Sequence, residues 1–172
     1  EESKGDKVYD QFTFKVGANY NPFTFAGFYT NYSQGFSPPA LTSIFRAKPG
    51  TGGTNPKPAE FYYNLESAKF NNYEVGGWLN LFDKKLQLDY SVYYMEGKNE
   101  LLNIRQPDNS TDYQSAGKTL HKGIEFSVNY MLCSQLKMRV GGTTAQHVFV
   151  DFKVSDKPSD PVKNLNGFEM PS

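Results

Sequence analysis

The chain has 172 residues with 18 basic and 18 acidic side chains, so its net charge is zero. That balance argues against a nucleic-acid partner or a polybasic membrane surface. Hydrophobic residues make up only 38% while aromatics reach 16%, chiefly Tyr and Phe, and no stretch of about 18 apolar residues exists, which excludes a transmembrane helix but not a transmembrane strand.

The aromatic excess has two explanations at the level of composition. Tyr and Trp rings suit the headgroup depth of a membrane, and Tyr and Phe also favour the strands of a soluble β-sandwich. Cys133 is single, so no intramolecular disulfide forms, and no metal-ligand spacing accompanies it.

From the N-terminus, the first predicted strand covers about 10–20. Phe12, Phe14, Val16, Ala18 and Tyr20 alternate with Thr13, Lys15, Gly17 and Asn19, the period-two pattern of a strand with one apolar and one polar face. Asn21-Pro22 is expected to end it, because proline has no ladder donor. The return strand, 24–36, carries Phe25, Phe28, Tyr29, Tyr32 and Phe36 on both faces, and its register stays open.

The next hairpin pairs 72–82 with 86–98 around Asp83-Lys84-Lys85. Tyr73, Val75, Gly77, Leu79 and Leu81 form one face, and Leu86, Leu88, Tyr90, Val92 and Tyr94 continue it. Pairing Leu81 with Leu86 puts Val75 beside Val92, and on the polar face Asn80 beside Gln87 and Trp78 beside Asp89. A third hairpin joins 120–132 to 136–149 through Cys133-Ser134-Gln135. Ile124, Phe126, Val128, Tyr130 and Leu132 answer Leu136, Met138 and Val140, with Asn129 expected beside Arg139.

Short turns therefore alternate with long polar stretches at 37–71, 99–117 and 150–172. In an antiparallel meander all short connections share one rim and all long ones the other, the distribution of outer-membrane barrels. The strands run roughly ten to fourteen residues, against about five or six in soluble proteins and about nine to eleven for a tilted membrane strand. The expected fold is all-β, an antiparallel meander of about six long strands. Six strands cannot close a membrane barrel, since the smallest have about eight, so the chain reads as a segment of a larger one. Both ends look like loop interiors, Glu1 to Lys7 and Gly167 to Ser172, and are expected to be cuts within a longer protein. A soluble, independently folding domain remains the alternative.

Four ordered motifs carry a family resemblance. Tyr32-Ser33-Gln34-Gly35-Phe36-Ser37-Pro38-Pro39 resembles the aromatic-Ser-x-Gly-Phe-x-x-Pro exit into an extracellular loop of TonB-dependent outer-membrane receptors. Asn71-Asn72-Tyr73-Glu74-Val75-Gly76 is similar to that family's Asn-Tyr-Glu-x-Gly strand start, with Asn64-Leu65 upstream. Ser67-Ala68-Lys69-Phe70 stands where the family often has Pro-Glu-x-Ser. Ala116-Gly117-Lys118-Thr119 followed by Gly123-Ile124-Glu125 resembles its Asn-Ala-Gly … Gly-x-Glu pattern, and Leu165 to Pro171 resembles a loop preceding another strand.

The resemblance implies a barrel of about 22 strands plugged by an N-terminal domain and energised by TonB. Its cargo would be a scarce ligand: a ferric siderophore, cobalamin or a glycan. The implied partners are outer-membrane lipid, the plug domain, TonB through an N-terminal part not contained here, and that ligand; no cofactor is implied. A porin-like passive channel and a soluble glycan-binding module are the competing functions.

Binding residues concentrate on loops held by a rigid scaffold. Arg46 and Lys48, with Tyr62 and Tyr63, combine basic and aromatic groups suited to an anionic iron chelate or a sugar ring, and Arg105 and Tyr113 sit in the next loop. The alternative is that these residues pack the loops against one another or lie at lipopolysaccharide level. Glu74 and Glu125 are expected at the extracellular strand starts, facing inward, as plug or loop contacts or as wall hydrogen bonds. Gly35, Gly76, Gly77, Gly141 and Gly142 read as bulges, bends or aromatic packing slots, or as places where a ligand or the plug approaches the backbone closely. His121 and His147 are far apart in sequence and isolated from Cys or acidic partners, so they do not read as a metal site. No nucleophile–base or paired-carboxylate arrangement points to catalysis.

Overall fold

A computed structural model describes residues 6–47, 59–61, 65–105, 111–115, 117–152 and 164–170. In chain order the elements are β1 (Lys15–Phe23), β2 (Ala26–Ser37), a single helical turn α1 (Leu41–Ile44), β3 (Phe45–Ala47), β4 (Ala59–Phe61), β5 (Ala68–Leu81), β6 (Leu86–Lys98), β7 (Leu101–Arg105), β8 (Thr111–Ser115), β9 (Lys118–Cys133) and β10 (Leu136–Asp151). Six of them form one sheet in the order β1-β2-β5-β6-β9-β10, with every pair antiparallel. The sheet is a meander, and it does not close on itself.

The hairpin registers follow the side-chain alternation. Leu81 pairs with Leu86, Asn80 with Gln87, Trp78 with Asp89 and Val75 with Val92. Asn129 pairs with Arg139. Each pairing keeps apolar side chains on one face across both strands, which is what fixes register when a face must avoid water.

Two details differ from the sequence expectation, and one settles a register it left open. Pro22 lies inside β1, and the turn falls at Thr24-Phe25. The ladder slips between Tyr20 and Phe23, and that irregularity is where a residue without an N–H can sit. The β2 register, open from sequence, puts Phe28, Thr30 and Tyr32 opposite Gly77, Val75 and Tyr73, on the apolar face. The long connections also hold structure of their own: β3 pairs with β4, β7 with β8, and the 164–170 segment lies along β10 through a Val148–Glu169 bridge.

Successive rows across the apolar face change character. In the middle Val75, Val92 and Ile124 are direct neighbours, yet they are 55%, 43% and 48% exposed. Among the described residues nothing covers them. Among the described residues the buried hydrophobics are Ala26, Ile44, Leu65, Ala68, Phe149 and Phe152, all toward the rims or connections, so the sheet has no second layer and its apolar face requires an apolar surrounding.

Toward the long-loop rim the next row is aromatic. Tyr32, Tyr73 and Tyr94 are register partners, with ring centroids 5.0 and 6.4 Å apart, and Phe14 lies 5.4 Å from Tyr32. The Tyr32 hydroxyl donates to Asn71 Oδ1 at 2.9 Å. Two rows further out, Lys69, Lys98 and Lys118 stand side by side on three strands, all exposed. From Tyr73 to Leu81 the face is about 27 Å long at strand rise, roughly 20 Å high at barrel tilt. Apolar band, aromatic girdle and charged fringe follow one another in the order a bilayer imposes.

Candidate functional site

The opposite face is polar and holds the chemistry. Near its centre a hollow of about 490 Å³ is lined by Ser33, Asn72, Glu74, Ser91, Tyr93 and Glu125, among others. Glu74 accepts a hydrogen bond from the Tyr29 hydroxyl at 2.6 Å. Tyr29 reaches it by lying over Gly76, where a β-carbon would come within 2.5 Å of the tyrosine ring. The glycine is therefore an aromatic packing slot. Glu125 sits opposite Ser91 across β6 and β9. Both carboxylates fall in mid-strand, because β5 and β9 begin earlier, at Ala68 and Lys118, than the motifs suggested.

Toward the short-turn rim the polar face turns basic. Lys84, Lys85, Lys137 and Arg139 surround a second hollow of about 350 Å³, with Gln87 and Asn129 between them. The face is thus polarised along the strands, with carboxylates at its centre and cations at one end.

Near the long-loop rim the polar face carries a cluster that sequence reasoning missed. His121 and His147 are direct partners on β9 and β10. Their Nδ1 atoms lie 2.7 Å apart. His121 Nε2 is 2.8 Å from Glu100 Oε1 and 3.2 Å from Thr119 Oγ1, and the Thr119 hydroxyl donates to the same carboxylate oxygen at 2.5 Å. Thr119 is 1% and His121 9% exposed. This overturns the isolation assumed for the two histidines. The signal was present: extending the Asn129–Arg139 pairing along both strands puts His121 opposite His147. Among the described residues no three His, Cys, Asp or Glu groups close on one point.

The loop residues singled out from sequence are only partly described. Arg46 lies in β3 opposite Glu60, Arg105 ends β7 opposite Thr111, and Tyr113 lies in β8 opposite Asn103. Lys48, Tyr62 and Tyr63 lie outside the described residues. Arg46, Arg105 and Tyr113 therefore sit on hairpins at the long-loop end.

An unclosed antiparallel meander with an apolar outer face, an aromatic row and a polar inner face is a section of transmembrane β-barrel wall. The family described as TonB dependent receptor-like, beta-barrel matches residues 2–170, and the chain belongs to it. Among solved structures the chain is similar to the ferric-catecholate import receptor Fiu of K12 E. coli in its closed form, with a TM-score of 0.57 and 24% identity over 88% of this chain and 20% of that one. The likeness is one of fold, and the chain spans about a fifth of that receptor's length. A search of curated proteins by sequence returns no match.

Proposed function

We propose that this chain is a six-strand section of the wall of an outer-membrane active transporter that imports a ferric siderophore. The single observation that carries the transporter reading is the family match over nearly the whole chain. The two-faced sheet supports it, because it offers one surface to lipid and one to a plug domain. The siderophore is supported by the ferric-catecholate cargo named for the similar receptor.

In this reading the long-loop rim is extracellular and the short-turn rim periplasmic. Arg46, Lys48, Tyr62, Tyr63, Arg105 and Tyr113 present cationic and aromatic groups to an anionic iron chelate. Glu74 and Glu125 face basic groups of the plug domain, while Lys84, Lys85, Lys137 and Arg139 face its acidic ones near the periplasm. The Lys69–Lys98–Lys118 row meets phosphates of outer-membrane lipid just beyond the aromatic girdle. TonB engages the N-terminal part of the complete protein.

The test is uptake of a radiolabelled ferric catecholate by cells whose only candidate receptor is the complete protein, with and without functional TonB. Saturable uptake that disappears without TonB is expected. Uptake that persists without TonB and rises linearly with concentration would make the protein a passive channel. TonB-dependent uptake of cobalamin or a glycan in place of iron would keep the transporter and change its ligand.

A further inference from the structure

Four side chains at the long-loop end of the inner face form a chain of contacts: Glu100, Thr119, His121 and His147. Proton positions along it follow from hydrogen-bond logic. A carboxylate only accepts, so the 2.8 Å contact to Glu100 Oε1 places a proton on His121 Nε2. In neutral His121 the other nitrogen, Nδ1, then carries a lone pair. That lone pair points at His147 Nδ1, 2.7 Å away, so His147 supplies the single proton between them.

An imidazole whose far N–H is held by a carboxylate and whose near nitrogen is left as a lone pair is the arrangement found in metal-ligating histidines. Here two imidazoles converge nitrogen to nitrogen, with ring centroids 4.9 Å apart and planes at 57°. A cation enters as the His147 proton shifts from Nδ1 to Nε2 of the same exposed ring, which keeps both imidazoles neutral and leaves both Nδ1 lone pairs as ligands. Tetrahedral coordination at Zn–N distances sets the two nitrogens about 3.3 Å apart, so the pair must open by about 0.6 Å. His147 is exposed and can make that movement, while His121 stays fixed by Glu100 and Thr119. Met95 stands directly opposite His121 on β6 and shares its face by the strand alternation. Imidazole nitrogens suit copper and zinc over harder cations.

We propose that His121 and His147 form a two-imidazole site for one borderline transition-metal cation, copper(II) or zinc(II). Glu100 and Thr119 are the positioning residues behind His121. The remaining coordination positions open toward the barrel interior, where water or a donor atom of an incoming ligand completes them. The site does not depend on which cargo the transporter carries, because its ligands belong to the wall and not to the loop hairpins.

The complete receptor, purified in detergent and stripped with a chelator, tests this with copper(II) and zinc(II) alone. Wild type, His147→Ala and Glu100→Gln are compared, each confirmed as folded by its heat-modifiable mobility on gels. Wild type is expected to bind one more equivalent than His147→Ala, and its copper spectrum to show coupling to two imidazole nitrogens that the variant loses. Glu100→Gln is expected to retain the two-nitrogen signature with affinity lowered about 10- to 100-fold. Equal stoichiometry and affinity in wild type and His147→Ala would overturn the site. Loss of affinity in Glu100→Gln no greater than twofold would overturn the positioning role.

Discussion

Tyr93 of β6 stands over Gly123 of β9, its direct register partner, so closely that a β-carbon at position 123 would lie 2.6 Å from the tyrosine hydroxyl oxygen and 2.5 Å from the Thr144 carbonyl oxygen. A flexible ring end can move, but the Thr144 carbonyl belongs to the β9–β10 ladder and cannot. Gly123→Ala is therefore expected to destabilise the barrel by about 1–3 kcal/mol, the usual range for overpacking. Gly35→Ala provides the contrast, since a β-carbon there meets Phe70 at an ordinary 3.9 Å. The temperature at which the folded gel band converts to the unfolded one should fall for Gly123→Ala and stay put for Gly35→Ala. Equal behaviour of the two variants would refute the slot.

The Tyr29–Glu74 contact separates packing from polarity. Tyr29→Phe keeps the ring over Gly76 and removes only the hydroxyl that donates to Glu74 at 2.6 Å. A hydrogen bond to a charged group contributes about 1.5–3 kcal/mol when buried, and the contact is only partly buried, so a loss of about 1 kcal/mol is expected. Tyr29→Ala also empties the slot above Gly76 and should cost more, about 3 kcal/mol or above. Urea midpoints of the two variants in the same detergent check the order. Tyr29→Phe as damaging as Tyr29→Ala would mean that the hydroxyl, not the ring, holds β2 to β5.

The two faces should respond oppositely to one added charge. Val92 and Ser91 are neighbours on β6, but Val92 belongs to the apolar row and Ser91 lines the inner hollow. Val92→Arg puts a guanidinium near mid-bilayer and is expected to cost about 2–4 kcal/mol. Ser91→Arg faces Glu74 and Glu125 across that hollow and should change stability little. Folding yield into phospholipid vesicles distinguishes them. A larger loss for Ser91→Arg would reverse the assignment of lipid and interior faces.

Much of this architecture is legible in single residues. The Leu81–Leu86 and Asn129–Arg139 pairings follow from alternation and turn position alone, because a one-residue slip would turn every valine and leucine to the wrong face. β2 resisted, since Tyr29 and Phe28 are both aromatic and hydrophobicity does not say that one fills a glycine slot inside while the other faces out. Pro22 misled for a similar reason: its missing donor signals a break, and only the ladder shows that a bulge absorbs it. The histidine pair was hidden by sequence distance, although the register that places Asn129 beside Arg139 already contained it. Glu100 could not have been joined to that pair by register, because it lies beyond the end of β6 and reaches back over β9.

The β5–β6 turn carries strain that a small substitution should release. Phe82, Asp83 and Lys84 have φ values of 52°, 52° and 64°, three consecutive non-glycine residues in the left-handed region. The turn is closed by the Lys85 N–H donating to the Phe82 carbonyl oxygen at 3.0 Å. A β-carbon in this region costs about 1–2 kcal/mol, except that Asp and Asn tolerate it better. Lys84 has neither a compensating short polar side chain nor burial, since it is exposed. Lys84→Gly is expected to recover about 0.5–1 kcal/mol, net of the greater freedom glycine gives the unfolded chain. Lys85→Gly removes a charge from the same basic rim without a positive φ to relieve, and should be neutral or slightly destabilising. Urea midpoints that rise for Lys84→Gly and not for Lys85→Gly would assign the gain to backbone strain. A rise in both would assign it instead to relief of repulsion among Lys84, Lys85, Lys137 and Arg139.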